Sequence, residues 1–124
     1  MQNEFEAEVA LLGALLTRCT ALKRVRHIVA ADDFAWPINR AIFAAIISIV
    51  EAGQIEADAF VTLEQLQGLI AANITLHRKG GGLMTLEDYY KKLLVEATTT
   101  WSSPKYAKMV REFADRRRAI AEAA

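Results

Sequence analysis

The sequence predicts an all-α protein, a compact orthogonal bundle of about six helices formed by residues 1–124 as a single helical domain. Apolar residues recur at spacings of three and four in successive segments, the pattern of helices with one buried face. Residues suited to helix starts stand ahead of those segments: Asn3 with Glu6, Thr62 with Gln65, Thr85 with Asp88, and Pro37 and Pro104 at first-turn positions. Two prolines and six glycines are too few for a linker or a disordered chain, and 53% apolar against 24% charged residues is an ordinary globular balance.

The first helix starts at the Asn3–Glu6 capping box, and Phe5, Val9, Leu12 and Leu16 form one face of it, widened by Leu11 and Leu15. Gly13 inside that helix points to a neighbouring helix crossing closely. A shorter second helix is expected over Thr20–Val29, with Leu22, Val25 and Val29 inward and Lys23, Arg24 and Arg26 outward. Residues Asp32 to Pro37 break the chain, because a residue before proline is pushed out of the helical region. The third helix, from Pro37 to a left-handed terminator at Gly53, is expected to be central, with Ile42, Phe43, Ile46 and Ile47 as its contact layer. A fourth opens at Thr62–Gln65, carries Leu63, Leu66, Leu69 and Ile70 and fades near Asn73, and Thr75–Leu83 reads as a loop. A fifth follows Thr85 with Leu86, Tyr89, Tyr90, Leu93 and Leu94, and the last, capped by Ser103, runs from Pro104 toward the chain end. Nothing in Ala119–Ala124 terminates it, so the chain reads as a fragment or a shortened relative of something that continues.

Fifteen basic residues balance fifteen acidic ones, so the chain lacks the positive excess with which a stand-alone nucleic-acid binder displaces counterions. No direct nucleic-acid binding is expected as its main activity. The one cysteine, Cys19, rules out an internal disulfide and suits a reducing cytoplasm, and no apolar run reaches the roughly 18 residues of a membrane span. The run Lys79-Gly80-Gly81-Gly82-Leu83 has the wrong order for a phosphate-binding loop. His27 and His77 lack metal-ligand spacing, Cys19 reads as a buried inert thiol, and Asp32-Asp33 read as caps, leaving catalytic, cofactor and metal sites all at none. Tyr89, Tyr90 and Trp101 sit among helix-spaced leucines and are expected in the core. From Trp101 onward six bases face three acids; Arg116-Arg117-Arg118 suits either a phosphate grip or a solvated, dipole-complementing face. Because the apolar stripe of the last helix reaches the chain end uncovered, Tyr106, Val110, Phe113, Arg116, Arg117 and Ile120 are the expected self-association or partner surface.

The order of these pieces resembles the N-terminal domain of DnaB-type replicative DNA helicases. Glu6 to Leu16 is similar to that family's E-A-E-x-x-x-L-G-x-L-L first helix, and Asp33-Phe34 followed by Arg40-Ala41-Ile42-Phe43 to its D-F and R-x-I-F segment. Glu51-Ala52-Gly53, Val61-Thr62-Leu63, Gly81-Gly82-Leu83 and Tyr106 to Glu112 resemble its E-x-G, V-T-L, G-G-[FL] and Y-A-x-x-V-R-E motifs. Thr85 and the Thr98 to Trp101 segment depart from the pattern, as does a longer basic stretch between Leu69 and Gly80. The resemblance implies a non-catalytic collar domain that assembles with itself as a dimer, or a hexamer in the full-length protein, and that docks primase or a helicase loader. ATP and magnesium are then expected only in a separate motor domain. The rival readings are a primase's helicase-binding domain and a free-standing regulator that mimics the helicase domain. An enzyme using Cys19 or the aspartates is the remaining one.

Overall fold

The computed structural model describes residues 3–53, 60–70 and 84–123. Among these, six α-helices and one 3-10 turn form the fold: α1 (Glu4–Thr17), α2 (Ala21–Val25), the turn Ala31–Asp33, α3 (Pro37–Glu51), α4 (Leu63–Gln67), α5 (Leu86–Val95) and α6 (Ser103–Ala123).

The central helix is α1, not α3 as the spacing suggested. Every residue from Ala7 to Leu16 is buried, with α3, α5 and α6 packed around it. A helix enclosed on all sides has no polar face to set off a stripe, and Glu8 and Gly13 in its middle disguised this in the sequence. At Gly13 a Cβ would stand 2.1 Å from the Leu93 carbonyl oxygen and 2.7 Å from the Ala97 Cα. The glycine is therefore where the end of α5 crosses, the close approach its position implied. A backbone bond from Thr98 N–H to the Ala10 carbonyl, at 3.0 Å, fastens the segment after α5 to α1.

The buried face of α3 is Ile38, Asn39, Ile42, Phe43, Ala45, Ile46 and Ile49. Phe43 meets Phe34 with ring centroids 5.0 Å apart. Ile47, expected in the contact layer, is only partly buried, because the helix is rotated to bring Ala45 and Ile49 inward. Gly53 has φ 69° and ends the helix as anticipated. Asn3, Thr62 and Thr85 each accept an amide hydrogen bond from the third helical residue, so those starts lie where the capping pattern put them.

Three elements differ from expectation. Helix α2 ends at Val25, earlier than Val29, although Leu22, Val25 and Val29 are all buried. Helix α4 stops at Gln67, before Gly68, and Leu69 is exposed; Asn73 and the expected loop 75–83 lie outside the described residues. Ser103 is the first residue of α6, and its buried hydroxyl donates to the Thr100 carbonyl at 2.7 Å instead of accepting from the helix.

Candidate functional site

On α6, alanine and valine let the helix approach α1: Ala107, Val110 and Ala114 are buried, and Tyr106, Met109 and Phe113 pack partly against the core. The six residues expected to form one surface are thus divided. Val110 is wholly inside the bundle, Tyr106 and Phe113 are half-buried, and Arg116 is exposed with its guanidinium 5.5 Å from the Phe113 ring centroid. Ile120, 71% exposed, lies clear of the core.

Between these two parts sits a clasp that spacing alone did not disclose. The Arg117 guanidinium donates to the Asp33 carbonyl at 2.8 Å and pairs with Glu4 on the first turn of α1. Arg118 pairs with the buried Asp33 carboxylate at 2.7 Å and also reaches Asp115. Desolvation together with the neighbouring Arg118 charge lowers the Arg117 pKa, whereas the Asp33 hydrogen bond raises that of Arg118. Asp33 also accepts from Ala30 N–H at 2.7 Å, so its capping role and its hold on α6 coincide. The arginine run therefore spends two of its three charges inside the chain, leaving Arg116 on the surface.

A second group escaped the sequence reading. Glu8, Asn39 and Tyr89, from α1, α3 and α5, form a buried polar chain. Glu8 accepts from Ala35 N–H at 2.9 Å and from the Asn39 amide at 2.9 Å, and Tyr89 donates to the Asn39 carbonyl oxygen. Burial raises the Glu8 pKa despite these donors and the Arg40 charge, and burial with the nearby Glu8 raises that of Tyr89. The signal was present in the spacing: Glu8 falls between Phe5 and Leu12 on an apolar face, where a polar group must be internally satisfied. These hydrogen bonds tie α1 to the segment before α3, α1 to α3, and α3 to α5, so the cluster reads as a structural clasp.

Tyr89 is in the core as expected, and Tyr90, half-buried, donates to the Val61 carbonyl at 2.6 Å. Trp101 is not in the core: it is 81% exposed on the turn before α6. Cys19 is buried and His27 exposed, while His77 lies outside the described residues. Among the described residues no three His, Cys, Asp or Glu side chains gather to hold a metal, and no helix is long and apolar enough to cross a membrane.

Comparison with known proteins gives one family. The model described as DnaB-like helicase N terminal domain matches residues 1–112. No curated protein matches the chain.

Proposed function

Because this chain belongs to the family of DnaB-like helicase N-terminal domains, we propose that it serves a replicative DNA helicase as a non-catalytic module for ring assembly and for docking of primase or a helicase loader. Catalysis, with its ATP and magnesium, belongs in this reading to a motor domain of the parent helicase.

The observation that carries the assembly reading is the far end of α6. Beyond Ala114 the helix leaves the core, and Ala119 to Ala123 are exposed with Ile120 as the one large apolar side chain. Ile120 offers an apolar contact there, and a second copy meeting it through the same patch gives a two-fold pair. The clasp lowers one obstacle, because Arg117 and Arg118 already have Glu4 and Asp33 as partners and repel their counterparts less than bare arginines would.

Sedimentation of the wild type beside Ile120→Asp over a range of concentrations tests this. A weak wild-type dimer that the substitution abolishes is expected; a monomer at every concentration, or a dimer that survives, removes α6 as the assembly surface. Titration calorimetry with a purified primase helicase-binding domain and with a loader tests docking, and heat with neither would remove that half of the proposal.

A further inference from the structure

At the end of the bundle away from the arginine clasp, the last turn of α1, the start of α2 and the turn 98–101 border a half-open groove of about 560 Å³. The 14-residue α1 separates Glu4 in the clasp from Thr17 in the groove by roughly 20 Å. Among the described residues, two arginines, Arg18 and Arg24, line the groove and no carboxylate does. Among the described residues, neither arginine is ion-paired. Trp101 completes the wall, with the Arg24 guanidinium 4.9 Å from its ring centroid.

The indole is exposed but its turn is held fast. Thr98 N–H donates to the Ala10 carbonyl at 3.0 Å, Ser102 N–H donates to the Thr99 hydroxyl at 3.1 Å, and the Ser103 hydroxyl donates to Thr100. A large apolar side chain presented on a fixed backbone loses little freedom on binding. Tryptophan and arginine are also the residue types that dominate binding energy at protein interfaces.

We infer that this groove is a docking site for a short acidic segment of a protein partner, with carboxylates on Arg18 and Arg24 and an apolar side chain against Trp101. Charge complementarity selects this occupant, since guanidinium and carboxylate groups pair through two parallel hydrogen bonds. A nucleic-acid strand fits less well: two bases neutralise about two phosphates, too few for the counterion release that holds a strand, and the chain carries no net charge to add to them. The site is separate from the α6 surface and does not depend on the assembly reading.

The test uses a fluorescent peptide in which glutamates flank a central leucine, its lysine-for-glutamate counterpart and a short oligothymidylate. Anisotropy reads affinity, and the Trp101 indole N–H resonance reads location. The acidic peptide is expected to bind and to move that resonance. Trp101→Ala and Arg24→Glu should each weaken it by at least about tenfold, the scale of a hot-spot truncation. Their unfolding midpoints should stay near wild type because both side chains are exposed, and Ile120→Asp should bind normally. Failure of the acidic peptide to bind, equal binding of the lysine peptide, wild-type affinity in both groove variants, or preference for oligothymidylate would each overturn the inference.

Discussion

Glu8 shows how one buried residue can join α1 to the start of α3 and set a pH dependence. Burial raises its carboxyl pKa above the ordinary 4.5, so over the interval from 4.5 up to the folded value the native protein retains a proton that the unfolded chain has lost. Stability therefore falls as pH rises through that interval, and the favourable contribution is fully present below 4.5. Urea midpoints measured from mildly acidic to neutral pH should slope downward in this range for the wild type, and Glu8→Gln should remove that slope. An unchanged slope in Glu8→Gln would assign it to another group. Glu8→Ala is a harsher change, leaving the Ala35 N–H and the Asn39 amide without their acceptor at about 1–3 kcal/mol for each buried group.

At the scale of the elements, the contact between α1 and the end of α5 is sharply specified by Gly13. Replacing Gly13 with alanine improves helix propensity by about 1 kcal/mol. The added Cβ, however, would stand 2.1 Å from a backbone carbonyl, which cannot swing aside as a flexible side chain would. The steric cost, about 1–3 kcal/mol or more for overpacking, wins, and Gly13→Ala should lower the thermal midpoint; a rise would mean that α5 shifts freely. In α3, Phe43 is wholly buried against Phe34, and Phe43→Ala should cost about 3–5 kcal/mol in a denaturant titration. The capping residues Asn3, Thr62 and Thr85 and the terminator Gly53 were all legible, because each acts on its own few neighbours. The early ends of α2 and α4 were not, since a short helix is maintained by packing more than by propensity.

For the whole molecule, magnitude limits the self-association proposed above. The exposed end of α6 beyond Arg118 is little more than one helical turn, far less surface than the roughly 1,200–2,000 Å² buried in a stable interface. Any pair formed through this patch alone should dissociate readily on dilution, and the concentration series that tests Ile120→Asp should show it. The two surfaces at opposite ends of α1 can then be assayed separately. A groove variant should leave sedimentation unchanged, and Ile120→Asp should leave peptide binding unchanged.

Determined by the sequence alone were the helical class, the positions of the main helix starts, the close crossing at Gly13 and the family. All of these depend on residues within a turn or two of one another, or on motifs in a fixed order. Tertiary structure decided which helix is central, and it placed Val110 inside and Ile120 outside. It also joined Glu8 to Asn39 and Tyr89, and Arg117 and Arg118 to the first helix and the 3-10 turn. The groove at Trp101 belongs with these, because its two arginines lie some eighty positions from the indole. Periodicity reveals that a helix has an apolar face; which neighbours cover that face, and how far along, is fixed only when distant segments compete to bury it.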